Sequence, residues 1–322
     1  MARHREDSGN DAYVRRVHDR GLRFDLGALS RRRILAALGG AGALAAAGGE
    51  FLVAGGSAQA ADCTAEIESE TAGPYPADGT NGVDIRTGSG IVRSDIRTSF
   101  GTGNTAPGIP LTISLTIEDL SCQPLTGAAV YLWHCDRDGE YSLYSTAIVN
   151  EDYLRGIQQA DSTGTVSFTS IFPGCYAGRW PHIHVEVYSS LTDATSGRGQ
   201  IRKTSQIALP QDVATEVYAT TGYSASVTNL SKVTLGTDSV FGDDAAAREM
   251  ATVTGSVSGG LTARLRATVD PTAVQSANPR PTASPLRSGN PVASGNPVPG
   301  GSAQPTAAPQ PTGGGPTTGQ KW

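Results

Sequence analysis

The stretch Leu111-Thr112-Ile113-Ser114-Leu115-Thr116-Ile117 alternates an aliphatic residue with a small hydroxyl residue at every step. Side chains along a strand point to opposite faces in turn, so this pattern sends four aliphatics into a core and three hydroxyls away from it. Similar short runs follow, separated by Gly, Pro, Asp and Asn. Ala129–His134 reads as the next strand, reached through a turn at Gln123–Gly127. Gly164–Thr169 is a third, entered from the polar turn Asp161-Ser162-Thr163. His182–Tyr188 is a fourth, and Ser205–Leu209 a fifth that Pro210 stops. Helical periodicity is scarce, and Gln211–Tyr218 is the one short helix expected. Several short strands with regular turns predict an all-β chain, an antiparallel β-sandwich with long loops.

The two ends of the chain read differently. Residues 1–60 contain Ser30-Arg31-Arg32-Arg33-Ile34-Leu35, then an Ala/Gly/Leu-rich run, then the small-x-small triplet Ala58-Gln59-Ala60. This is the pattern of a twin-arginine signal peptide cleaved before Ala61. Glycines and Glu50 break the apolar run, which argues against a permanent membrane helix. The expectation is an exported chain with no stable membrane insertion after cleavage. Residues 270–322 are rich in Pro, Gly, Ser, Thr and Ala and hold a short repeat, Ser288-Gly289-Asn290-Pro291-Val292 and Ser294-Gly295-Asn296-Pro297-Val298. With almost no large apolar residues, they are expected to be a disordered spacer associating with the cell wall. One folded domain, 61–269, lies between.

Charge and cysteine content narrow the function. Residues 1–60 hold 9 of the 25 basic and 6 of the 30 acidic residues, which leaves a net charge of about −8 on the rest. An acidic chain without a basic cluster is a poor partner for nucleic acid. All four cysteines (Cys63, Cys122, Cys135, Cys175) follow the expected cleavage site. An even count in an exported chain favours two disulfides, with three pairings open.

The strand His182-Ile183-His184-Val185-Glu186-Val187-Tyr188 carries the chemistry. Its alternation puts His182, His184 and Glu186 on one face and Ile183, Val185 and Val187 on the other. Two imidazoles on one face at this spacing can grip a single metal ion. Tyr176 lies just upstream in Pro173-Gly174-Cys175-Tyr176, and Tyr141 further back in Trp133-His134-Cys135-Asp136-Arg137-Asp138-Gly139-Glu140-Tyr141. Two phenols and two imidazoles form a candidate set for a ferric ion, which is hard and favours anionic oxygen donors while accepting imidazole. A trivalent ion at a phenol oxygen removes a proton that otherwise leaves only near pH 10.

Thr71-Ala72-Gly73-Pro74-Tyr75, Trp133-His134-Cys135-Asp136 with Gly139-x-Tyr141-Ser142, Phe172-Pro173-Gly174-x-Tyr176 and Arg179-x-x-His182-x-His184 occur in this order. Together they resemble the intradiol ring-cleavage dioxygenases, in particular their exported single-domain branch, over about residues 65–210. The resemblance implies a mononuclear non-haem Fe(III) held by Tyr141, Tyr176, His182 and His184. It implies an aromatic diol of the catechol type and O2 as substrates, and a muconate-type diacid as product. It makes Tyr176 the ligand that leaves the metal with a substrate proton, and Arg179 the stabiliser of developing negative charge. Gln206 corresponds to a supporting glutamine, and Gly73 and Pro74 to a turn lining the substrate pocket. The span between Tyr176 and His182 is short for the family's multimeric members, which points to an open pocket. Cys175 is expected to be a disulfide partner.

Two other readings compete. His182, His184 and Glu186 make a 2-His-1-carboxylate set for a cupin-like Fe(II) or Mn enzyme. A sandwich on a stalk, binding a polymer or protein without catalysis, is the other. His134 is expected to support the site from behind or to lie on the surface, and Asp136 and Asp138 to be turn residues.

Overall fold

The computed structural model describes residues 63–275. The expected signal peptide and all but the first residues of the expected tail lie outside the described residues. Eight strands fold as β1 (Pro110–Glu118), β2 (Ala129–Trp133), β3 (Arg155–Gln159), β4 (Thr165–Ile171), β5 (His182–Tyr188), β6 (Ile201–Ala208), β7 (Thr252–Ser256) and β8 (Gly260–Thr268). They form two four-stranded sheets with orders β4-β1-β8-β7 and β3-β2-β5-β6. The β-sandwich is antiparallel except at one pair, where β8 lies parallel to β1. A parallel neighbour needs a long connection, and more than 140 residues separate the two strands.

In β1 the alternation of the sequence is the alternation of burial. Leu111, Ile113, Leu115 and Ile117 are buried and join the core between the sheets. The second sheet is buried on both faces. Val130 and Leu132 of β2 and Ile183, Val185 and Val187 of β5 enter the inter-sheet core. Ala129, Tyr131 and Trp133 of β2 enter a second, aromatic cluster on the outer face, with Tyr141, Tyr144 and Tyr188. That outer cluster covers the face carrying His182 and His184.

The helix expected at 211–218 is present with those bounds (α2, Gln211–Tyr218), flanked by α1 (Leu191–Thr195) and α3 (Ser224–Leu230). The fifth strand begins four residues earlier than its sequence indicates, because Lys203 is drawn inside by an ion pair to Glu66. Strands β3, β7 and β8 carry weak patterns: β3 has one large aliphatic, β7 is mostly exposed, and β8 alternates alanine with leucine on its inward side. Beyond Val269, Arg202 donates to the Ala273 carbonyl and Gln275 N to the Ile201 carbonyl.

One disulfide forms where two are expected. Cys63 and Cys122 are bonded, closing a loop of 59 residues, whereas Cys135 and Cys175 are buried free thiols. The Cys135 thiol points at the Gly174 carbonyl and the Cys175 thiol at the Arg179 carbonyl, 3.4 Å in each case, so the two sulfurs are turned to different partners. His134 is buried rather than on the surface. Its Nδ1 bonds the Cys135 carbonyl at 2.7 Å and its Nε2 the Ser170 hydroxyl at 2.7 Å, which ties the end of β2 to β4 of the opposite sheet. Burial lowers its pKa to about 4, so it is the neutral ring that makes both bonds.

Glu249 is fully buried beside β6, and its Oε1 has no hydrogen-bond partner. Burial pushes its carboxyl up to about 7, with Asp244 adding to the shift. An acid raised on folding leaves stability intact below its ordinary pKa, and that stability is lost as pH climbs towards the folded value. Glu249→Gln removes the penalty. Chemical denaturation of the variant and the parent should agree near pH 4.5, and the variant should be more stable at pH 8 by on the order of 2 kcal/mol. Equal stability at both pH values would show that Glu249 ionises without cost.

Candidate metal centre

Strand β5 sends His182 and His184 to one side, and their Nε2 atoms lie 3.1 Å apart. The Tyr141 hydroxyl is 3.1 Å from His184 Nε2 and 3.5 Å from His182 Nε2. The Tyr176 hydroxyl is 3.1 Å from His182 Nε2. Donors bound about 2 Å from a single small ion sit roughly 3 Å from one another, so these separations fit one ion. The protonation states fit as well. His182 Nδ1 donates to the Trp180 carbonyl at 2.5 Å, which leaves the lone pair on Nε2. His184 is clamped by Trp133, whose ring stacks on it at 4.9 Å and 4°. Burial, and next the positive Arg179, lower His182 to about 3. Burial and its neighbour His182 hold His184 well below the ordinary range. Both rings are therefore neutral donors. Burial, and next Tyr176, push the Tyr141 phenol well above its usual value, so it ionises only when a strong positive charge sits beside it. The four side chains fit a hard, highly charged metal ion.

Local sequence places each phenol. After β2, Asp136 Oδ1 accepts from the amides of Asp138 and Glu140, both at 2.9 Å, and closes the turn that delivers Tyr141. Gly139 in that turn has φ +86°, and a Cβ there would stand 3.1 Å from Tyr176 Cβ. Only glycine meets both demands. Tyr141 is buried, with its ring 4.8 Å from Tyr75. Tyr176 is half-buried and sits on a loop held by Gly174 N to Asp136 O, Cys175 N to Ser226 Oγ and Asn229 Nδ2 to Cys175 O.

Gly73 and Gln206 lie against His184, and Arg179 bonds Gln206. Arg179 Nη2 donates to Gln206 Oε1 at 2.6 Å, and Gln206 Nε2 donates to the Thr71 carbonyl at 2.8 Å. The register also puts Trp133 opposite His184 on one side and Gln206 opposite it on the other. Gly73 has φ +68°, and a Cβ there would lie 3.3 Å from His184 Cε1. The Pro74 carbonyl accepts from Asn81 Nδ2.

Glu186 does not join the imidazoles. Two residues on along a strand is about 6–7 Å, and its carboxylate instead accepts from the Tyr188 hydroxyl at 2.6 Å, which in turn accepts from Arg86. Among the described residues, the one group of three His, Cys, Asp or Glu side chains with ligand atoms within 4.8 Å is Cys63, Glu118 and Cys122, two of which form the disulfide. The 2-His-1-carboxylate reading therefore fails on geometry.

Sequence reasoning missed two supports. Arg155 is fully buried and donates to the carbonyls of Tyr75 and Ser142, both at 2.9 Å, and to Ser142 Oγ at 3.0 Å. It staples the Gly73–Pro76 turn to the loop of Tyr141. Asp238 pairs with Arg179 Nε at 3.0 Å. Neither lies in a recognisable pattern, because each acts on residues distant in the chain.

The Gly73 contact is directly testable. Gly73→Ala places a side chain in left-handed backbone and against the His184 ring, and the backbone term alone costs about 1–2 kcal/mol. The expected result is a lower melting temperature together with weaker metal retention on dialysis. Parent-like retention would mean that His184 tolerates displacement.

A family model described as a dioxygenase matches residues 89–193, a span holding Tyr141, Tyr176, Arg179, His182 and His184. A chlorocatechol 1,2-dioxygenase of Rhodococcus opacus is 36% identical over 70 residues, 22% of this chain and 27% of that enzyme. The chain thus spans just over a quarter of the length of that curated relative. An intradiol ring-cleavage dioxygenase from Tetranychus urticae shares the fold, with 24% identity, a TM-score of 0.52 and coverage of 66% of this chain and 97% of that one. Over its matched span the chain is similar to dioxygenases, and its fold is that of the intradiol ring-cleavage dioxygenase from Tetranychus urticae.

Proposed function

We propose that the chain is an exported non-haem Fe(III) enzyme that opens catechol-type aromatic diols with O2 to muconate-type diacids. The observation that carries this reading is the approach of four donor atoms, from Tyr141, Tyr176, His182 and His184, to within 3.1–3.5 Å of their neighbours. Bound there, Fe(III) would supply the Lewis acidity that activates a diol towards O2. The roles of the side chains follow from their surroundings. Tyr141 is buried and ringed by aromatic groups, so it is the fixed phenolate. Tyr176 is only half-buried, so it would be the phenolate whose oxygen takes a proton from the diol and becomes a neutral phenol. His182 and His184 stay neutral and hold their lone pairs inward. Arg179, oriented by Gln206 and Asp238, offers positive charge to an anionic substrate or product. Gly73 lies against the His184 ring, and with Pro74 it would line the pocket that takes the planar ring of the diol.

Export by the twin-arginine route, with the tail as a spacer in the cell wall, belongs to the same proposal. Ser30-Arg31-Arg32-Arg33 and Ala58-Gln59-Ala60 support it, and so does the Cys63–Cys122 disulfide, which persists in oxidising compartments. A chain that folds before crossing the membrane can carry its metal with it.

The purified protein should contain one iron per chain and be red-brown from phenolate-to-iron charge transfer. It should consume O2 with catechol. Tyr176→Phe should shift or bleach the band and lower turnover by about 100-fold or more, with iron content largely kept. A colourless sample that holds a full complement of iron would sink the proposal and leave a binding module as the better reading.

A further inference from the structure

Asp238 lies beyond the matched span 89–193, in the loop after α3. It is 3% exposed and accepts four hydrogen bonds. Oδ2 receives Arg179 Nε at 3.0 Å and the Trp180 amide at 2.6 Å. Oδ1 receives the amides of Val240 at 2.8 Å and Phe241 at 3.0 Å. Three of the groups it holds lead to the donor cluster. The other arm of Arg179 bonds Gln206, which faces His184 across the β5–β6 pair. The Trp180 carbonyl fixes His182 Nδ1, and the Phe241 ring meets the His182 ring edge-on at 6.4 Å.

A buried guanidinium beside a site for a trivalent cation would repel that cation if it stood alone. A buried carboxylate at 3.0 Å neutralises it and also sets its direction, since Nε is engaged and Nη2 is aimed at Gln206. We propose that Asp238 is a positioning residue of the site. Through Arg179 it orients the cation next to the donors. Through Trp180 it locks His182 in the tautomer whose Nε2 lone pair faces them. The first role rests on the dioxygenase reading, whereas the second is a property of the chain alone.

The test uses the full chain and the variants Asp238→Asn and Asp238→Glu. Asparagine keeps an oxygen for Val240 and Phe241 but turns an NH2 group towards Arg179 Nε and the Trp180 amide, which are donors themselves. Nitrogen-15 NMR of metal-free protein reads the His182 ring nitrogens and the Arg179 Nε–H. Turnover of catechol by the iron-loaded protein reads kcat and KM. Asp238→Asn should make His182 a mixture of tautomers and speed exchange of the Arg179 Nε–H by about tenfold or more. It should lower kcat by about 100-fold with KM changed less, the scale seen when an oriented electrostatic group is removed. Asp238→Glu should recover part of each effect, which loss of folding would not permit. If Asp238→Asn does not fold, Asp238→Glu carries the same NMR measurement, with smaller changes in the same direction. Wild-type resonances for His182 and Arg179 in a folded variant would overturn the proposal, as would a fall in kcat that only tracks the folded fraction. An iron-free, inactive parent would overturn the dioxygenase reading, and the NMR comparison would still decide the role of Asp238 at His182.

Discussion

Two imidazoles on one strand must share a face, and a face that bears two neutral, desolvated rings has to be roofed. That constraint organises the second sheet. Strand β5 is buried along its whole length, with aliphatics turned to the opposing sheet and histidines turned outward under Tyr131, Trp133, Tyr141 and Tyr144. Charging either imidazole under this roof is unfavourable, so each keeps a lone pair for a ligand. The same roof keeps the Tyr141 phenol protonated until a cation arrives. The donor set therefore fits a metal ion.

Polar groups that secure this arrangement come from every part of the described chain. Arg155 in β3 fastens the turn of Gly73 to the loop of Tyr141. Gln206 in β6 joins Arg179 to Thr71. His134 bridges the sheets through Ser170. Each buried polar group in this set is hydrogen-bonded, as the low-polarity interior requires. The His184 Nδ1 and Trp133 Nε1 atoms are exceptions, and those two rings are held face to face by stacking.

Much of this was legible in the sequence, for physical reasons. Residues 111–117 and 182–188 alternate cleanly because each strand packs one face on a core, and the strands found there match closely. The candidate donors and Arg179 lie in short motifs whose spacing is local. Strand β8 was missed although it alternates, because half of its inward residues are alanine and give little contrast. Strand β3 contributes Arg155 inward, and no pattern rule expects a buried arginine. Asp238 acts 59 residues from Arg179, so only the folded chain reveals the pair. The even cysteine count misled for a similar reason: pairing depends on where each thiol points, and those of Cys135 and Cys175 are turned to backbone carbonyls.

The centre is closed by segments from both ends of the described chain, with Gly73 against one imidazole and the loop of Asp238 behind the other. A ribosome delivers those segments more than 160 residues apart. The donors at 141, 176, 182 and 184 emerge in the middle of synthesis, without the guanidinium's counter-charge and without the loop that carries it. The surroundings of the donor cluster are thus complete only after translation has passed Asp238. The arrangement of the four donors is therefore a property of the finished domain and not of the strand that carries two of them.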